Sequence, residues 1–444
     1  MKLLLNHIQK LNINKSLIIF FAFFPYLFSD FFSFSNYSLG FIVFVSFVLM
    51  PLFFIYQKIK LKSIIDISFW IYILVFIGYP FFFQLNNMNF PWLDYTPTEK
   101  EIFNAIIIFL IGIISFIFGR YFTKEHKLIV RRISFTKYNY MLVISLIMIL
   151  YILFQIGFSS LFLPRVFYAQ KIFGENLILP LFANLLEPII AITIISSIYF
   201  LKIRKISLKR ILFTFFIIFL FVNPIRSSRL EFFLPLLIIF LHVIKFNSQI
   251  WAFFLIIGLS VIFPTADIFR SFEINQNNAP LFYFNQTFTS GDFDGPAGNL
   301  ISIIYLKSNP YFLGSNFMGA LLGYVPRSLW PNKPFGTGFT VSNGIGLEYP
   351  NIGINMWAES YLSFGYLGVI IFFIFFGKLV YLLQLNYKKD FLSYILYVYF
   401  SCSMIFLLRG EVLQVGLRLI PLALISYIIT YRNNKLSIIK RPQI

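Results

Sequence analysis

The sequence predicts an all-α, polytopic integral membrane protein with about twelve transmembrane helices. Three observations predict it. Hydrophobic residues make up 59% of the 444 positions and charged residues only 12%, with phenylalanine alone at 62. Apolar runs of about 20 residues, the length that crosses a hydrocarbon core as a helix, recur along the whole chain. Basic clusters punctuate every second connector: Lys58, Lys60 and Lys62, then Arg120 to Lys137, then Lys202 to Arg210, then Lys388 and Lys389.

In order, the runs cover residues 17–35, 38–56, 64–83, 102–119, 138–157, 177–201, 211–225, 230–244, 250–269, 356–384, 391–408 and 412–430. The first follows a basic start, but it contains Pro25 and Asp30 and lacks a small-residue cleavage site, so it reads as a retained span. An even number of spans puts both termini on one side, and the basic connectors assign that side to the cytoplasm. The acids there are only Asp66, Glu125 and Asp390, so the net charge of +19 follows from topology and calls for no nucleic acid. One cysteine, Cys402, excludes a disulfide framework, and His7, His126 and His242 have no zinc-type spacing.

The chain 1–444 therefore reads as a single membrane domain carrying one long external loop, 270–355. Shorter external connectors are 84–101 and 158–176, the latter with Arg165 and Lys171. The long loop mixes glycine and asparagine with apolar stretches at 301–306 and 317–325, which favours short helices or a re-entrant segment over a disordered linker. No internal repeat is visible, which weighs against a transporter built from inverted repeats.

Within that loop, Pro326-Arg327-Ser-Leu-Trp330-Pro331-Asn-Lys333-Pro334 places two cations in a proline-stiffened frame. Arg327 and Lys333 suit an anionic ligand there; a tight turn with interfacial Trp330 and Lys333 is the plainer account. A second group is Asn223-Pro-Ile-Arg226-Ser-Ser-Arg229-Leu-Glu231, between two runs of some fifteen residues. Fifteen helical residues reach only ~22 Å, so this turn dips toward the hydrocarbon. Desolvated arginines there suit phosphate oxygens, or they snorkel to headgroups beside Glu231.

Arg409 and Glu411 form a third external turn, with Arg418 two helical turns further on; Glu411 could equally serve the helix dipole. The fourth group is Trp357-Ala-Glu359-Ser-Tyr361-Leu-Ser363-Phe-Gly365-Tyr-Leu-Gly368 at the entry of the tenth span. Glu359 and Ser363 share a helix face, and the glycines permit close helix approach. Glu359 is either a general base or a partner for one of the arginines. The glycines at 336–346 lack the ending of a phosphate-cradling loop. Asp292 and Asp294 read chiefly as turn chemistry, and Asp267 and Glu273 as balance for Arg270.

The 326–334 segment, the 358–368 segment and the arginine turn at 226–229 together resemble the Wzy-type oligosaccharide repeat-unit polymerases of bacteria, the family that makes O antigen, capsule and other surface polysaccharides. The resemblance implies a class C-like membrane glycosyltransferase, inverting, metal-independent and without a cofactor. It would join undecaprenyl-diphosphate-linked oligosaccharides on the outer face of the bacterial cytoplasmic (inner) membrane, with a chain-length regulator as a possible protein partner. Carried over by position, Arg327, Arg226 and Arg229 would bind diphosphate and 358–368 would line the site. Arg327, Arg229 and Glu359 are then the catalytic candidates. Arg226, Lys333, Trp330, Arg409, Glu411 and Tyr361 are the substrate-binding ones. An O-antigen ligase is the nearest rival, but ligases usually carry a histidine in the long loop and 270–355 has none. A polysaccharide flippase is the rival without chemistry.

Overall fold

The computed structural model describes residues 37–123, 130–158, 178–222, 229–263, 288–325, 327, 329–349 and 352–432. Eight helices among them are long and apolar enough to cross a membrane. They are α1 (Leu39–Leu61), α2 (Ile64–Asn87), α3 (Glu99–Tyr121), α4 (Phe135–Ile156), α5 (Ile178–Lys202), α12 (Met356–Asn386), α13 (Phe391–Arg409) and α14 (Val412–Ile429). Three shorter helices sit between α5 and the long loop: α6 (Leu208–Phe221), α7 (Arg229–Val243) and α8 (Ser248–Ile257), the last continued by a wide turn over Gly258–Ile262. Of the twelve expected runs, eight form helices of full spanning length among the described residues, and three more form these shorter helices. At 1.5 Å per residue, α6 and α7 reach only about 22 Å. The expected first run, 17–35, lies outside the described residues.

Short polar residues cut this greasy sequence into helices by capping them. Thr98 and Glu101 form a reciprocal box at the start of α3, with Thr98 N donating to the Glu101 carboxylate at 2.7 Å. Ser134, Ser207, Asn247, Asn355 and Asp390 each accept a first-turn backbone N–H at the starts of α4, α6, α8, α12 and α13. Each cap satisfies donors that would otherwise be orphaned beside hydrocarbon.

Helix α2 is apolar all round and buried along its whole apolar length, which makes it the centre of the bundle. Helices α3 and α12 pack along a seam of small residues. At the end of the bundle rich in Lys and Arg, buried Asp66 receives Arg120, Lys58 and the hydroxyl of Ser63. Gln384 of α12 takes the other side of Arg120 at 2.8 Å. A two-stranded antiparallel ribbon closes the same end, β1 (Arg131–Ile133) against β2 (Thr430–Arg432).

The opposite end carries the long loop, whose described residues from 288 onward are folded. It holds α9 (Gly295–Ser308), α10 (Ser315–Leu321) and α11 (Thr337–Ile345). Helix α9 begins deep: Gly295 lies so close to the Phe76 carbonyl, halfway along α2, that a Cβ there would sit 2.3 Å from it. Phe293 stacks on Phe76, and Gln84 holds the entering chain by donating to the carbonyls of Phe288 (3.0 Å) and Phe293 (2.8 Å). From there α9 runs out to Lys307, which pairs with Glu101 at the head of α3. The described part of the loop thus forms short helices, one of the two forms its composition suggested.

Candidate functional site

Arg327 and Lys333 shape their loop by donating to backbone carbonyls. Arg327 gives Nη1 to the carbonyl of Lys333 (2.6 Å) and Nη2 to that of Pro334 (3.2 Å), and its guanidinium lies 4.1 Å from the centre of the Phe335 ring. Lys333 Nζ donates to Gly323 and to Val325, the latter at 3.1 Å. Three prolines leave few backbone donors in this stretch, so the cations replace them in closing it. A guanidinium has five N–H donors and an ammonium three, so both keep unengaged N–H groups. Burial, and then the neighbouring Arg327, lowers the Lys333 pKa from its usual value.

These cations border a pocket of about 440 Å³. Phe312 and Phe335 supply aromatic faces, and Ser315, Asn316, Thr337 and Thr340 supply polar groups. One wall exists because α12 is broken at Phe364 and Gly365, the latter at φ 61°, ψ −147°. The break frees the carbonyls of Leu362 and Ser363, and the loop takes them: Phe312 N donates to Leu362 at 2.9 Å and Leu313 N to Ser363 at 3.1 Å. Non-helical backbone inside a membrane helix persists where protein or a cavity satisfies it. The glycines of 358–368 therefore serve a break, correcting the expectation of close helix approach there. Gly368, for example, faces the Ser360 carbonyl of its own helix across the kink.

Beneath the pocket lies Glu359, fully buried. Asn316 and Thr337, both pocket residues, donate to its Oε2, Thr337 Oγ1 at 2.9 Å, while Val412 N donates to Oε1 at 3.0 Å. Ser363 ties the group together, donating to Asn316 Oδ1 (2.7 Å) and lying within hydrogen-bond reach of the Glu359 carbonyl (2.9 Å). Glu359 thus caps α14 from a neighbouring helix. The residue that would cap α14 itself, Glu411, is turned the other way and accepts from Gly338 N at 2.8 Å, at the head of α11. Gly336 and Gly338 leave room for that carboxylate; a Cβ on either would come within 2.6 Å of it. Burial raises the Glu411 pKa above the ordinary carboxylate value, and the backbone N–H groups pull it partly back.

The remaining candidates are placed elsewhere or fall outside the described residues. Trp330 shares the loop but not the pocket; its carbonyl accepts from Lys333 N at 3.0 Å. Tyr361 packs against Tyr366 at 5.2 Å between ring centres and does not line the pocket. Arg409 pairs with Asp294 (Nε to Oδ1, 3.1 Å) and donates to the Gly291 carbonyl, fastening the entry of α9 to the end of α13. Arg418 pairs not with Glu411 but with Glu187 (2.8 Å) and Glu231 (3.7 Å). Arg226 lies outside the described residues, as do Asp267, Arg270, Glu273, Arg165 and Lys171. Arg229 is described only as the first residue of α7. Asp292 sits on the short turn Gly291–Phe293 before α9.

Sequence reasoning missed Asn316, Thr337, Phe312 and Phe335. The polar pair Ser315-Asn316 heading an apolar run was a signal for the first. The Gly336-Thr337-Gly338 tripeptide was a signal for the second, because glycines flanking a hydroxyl let acids approach the backbone. Among the described residues, no three His, Cys, Asp or Glu side chains converge as a metal site would need. No protein-family model, no curated protein and no solved structure matches the chain.

Proposed function

We propose that the protein is a membrane glycosyltransferase that polymerises oligosaccharide repeat units linked to undecaprenyl diphosphate. The observation that carries this reading is the 440 Å³ pocket, which joins two cations with unengaged donors, two aromatic faces and a buried acid one side chain beneath its floor. Transfer of a glycosyl group from a lipid diphosphate builds negative charge on the leaving oxygen. Fixed N–H donors aimed at that charge are worth ~2.7–4 kcal/mol of barrier each. Arg327 and Lys333 fill this role, Phe312 and Phe335 give sugar rings apolar faces to lie on, and Glu359 is the acid nearest the acceptor. Arg226 and Arg229, the latter the first residue of α7, belong to the second diphosphate.

On this reading the short helices α6 to α8 and the run 17–35 complete about twelve spans in a class C-like fold. The pocket opens to the outer face of the bacterial cytoplasmic membrane, and the basic end with both termini faces the cytoplasm. The concentration of Lys and Arg at the end away from the pocket supports this orientation.

The test is elongation by purified protein in nanodiscs supplied with synthetic undecaprenyl-diphosphate oligosaccharide, without added metal. The expected product is a ladder of longer lipid-linked glycans, with Arg327→Ala slowing it ~10²–10³-fold. Translocation of the substrate across proteoliposomes with no elongation would replace this reading with a transporter.

A further inference from the structure

Glu359 has no surface in the pocket, yet it touches the pocket through two side chains. One is Asn316, whose amide donates to the carboxylate and whose oxygen already receives Ser363. An amide N–H engaged in this way cannot take up a proton from a substrate. The other is Thr337, whose hydroxyl donates to Glu359 Oε2 at 2.9 Å and keeps two lone pairs. Among the described residues it is the one pocket hydroxyl bonded to a carboxylate; Thr340, also in the pocket wall, donates instead to the Gly336 carbonyl at 3.1 Å.

Thr337 is also held still. It is the first residue of α11, its neighbours Gly336 and Gly338 are pinned against Glu411, and Gly338 N donates to that carboxylate. The Thr337 side chain does not cap its own helix, whose N-cap is the preceding residue, Gly336. Its hydroxyl is therefore free of the structural duty that threonines at helix starts usually perform.

We propose that Thr337 is a catalytic residue that relays the acceptor proton from the pocket to Glu359. The proposal rests on the glycosyl-transfer reading above. The acceptor sugar's hydroxyl oxygen forms a bond to the anomeric carbon of the donor. The bond from that carbon to the diphosphate oxygen breaks, and its electron pair stays on the diphosphate beside Arg327 and Lys333. The acceptor's proton passes to Thr337 Oγ1, and the proton already on Oγ1 passes to Glu359 Oε2. After the product leaves, the same hydroxyl returns the proton to water in the pocket. A buried acid can thus serve as the base without being exposed to a highly charged substrate.

The experiment compares wild type, Thr337→Val and Thr337→Ser in the nanodisc elongation assay under single-turnover conditions. Thr337→Val, which keeps the shape and removes the hydroxyl, should lower the transfer rate ~10²–10⁴-fold with the half-saturating substrate concentration little changed. Thr337→Ser should restore most of the rate. Elongation by Thr337→Val at near wild-type rate would overturn the relay while leaving the polymerase reading intact. No elongation by wild type would remove both. Should Thr337→Val fail to fold, the rate of wild type in mixtures of H₂O and D₂O decides: a curved dependence on deuterium fraction, from two protons in flight, is expected. A linear one, from a single proton, overturns the relay.

Discussion

Gly119 of α3 and Gly377 of α12 each press against the other helix's backbone. A Cβ on Gly119 would lie 2.1 Å from the Ile374 carbonyl oxygen, and one on Gly377 would lie 2.2 Å from that of Phe116. Between helices that lipid surrounds, close backbone approach through small residues replaces the hydrophobic drive available in water. These contacts anchor the inner half of α12 on α3; the outer half, which carries Glu359, meets α3 through Trp357, whose Nε1 donates to the Phe109 carbonyl at 3.3 Å.

Gly119→Ala and Gly377→Ala should each destabilise the bundle by about 1–3 kcal/mol, because the neighbour is a carbonyl that cannot swing aside. Thermal unfolding in detergent, followed by intrinsic fluorescence, measures the loss. An unchanged midpoint in both variants would mean the helices stand further apart than described.

Asp66 is fully buried, and Arg120 and Lys58 both converge on it. Asp66→Ala should cost about 3–5 kcal/mol, the range for leaving a buried charge without its partner. Asp66→Ala combined with Arg120→Met should recover part of that loss, read as the folded fraction in size-exclusion chromatography after heating.

Arg409 is engaged by Asp294 and the Gly291 carbonyl, so its duty is to hold the entry of α9. Arg409→Gln should therefore lower stability by about 1–3 kcal/mol while leaving the KM for the lipid-linked donor unchanged. A raised KM at unchanged stability would instead assign Arg409 to the substrate.

The carboxyl of Glu411 has a raised pKa because it is buried, so the folded protein holds its proton more tightly than the unfolded chain. The stability this contributes is full below the ordinary value of 4.5 and is lost as pH rises through the raised value. Glu411→Gln keeps an oxygen for Gly338 N but cannot titrate. Unfolding midpoints of the two proteins should diverge above pH 4.5, with wild type losing ground to the variant as pH rises.

Much of the architecture is legible in the sequence because hydropathy and capping are local. The long runs, their alternating basic connectors and the polar residues at the helix starts can all be read from neighbours in the chain. The doubly cationic loop is legible too, since prolines announce its stiffness, and the pocket does form beside Arg327 and Lys333. What the sequence hides is pairing over distance. Nothing near Arg409 identifies Asp294 as its partner, and nothing near Arg418 identifies Glu187. The break in α12 at Phe364–Gly365 is equally hidden, because its freed carbonyls are taken by Phe312 and Leu313, far back in the chain. The shortness of α6 and α7 is legible as well, because the two apolar runs around 211–225 and 230–244 are themselves only some fifteen residues long.

The ribbon of β1 and β2 has a consequence for biogenesis. It joins residue 131, early in the chain, to residue 432, past the end of the last long helix. During synthesis the seam between the heads of α4 and the tail of α14 stays open until α14 has left the translocon. The pocket end is in the same position, because the amide that completes the Glu359 cap, Val412 N, also belongs to α14. Each end of the bundle therefore gains one closing contact only at this late moment, and a nascent chain stalled before α14 would lack both the ribbon and the Val412 bond to Glu359.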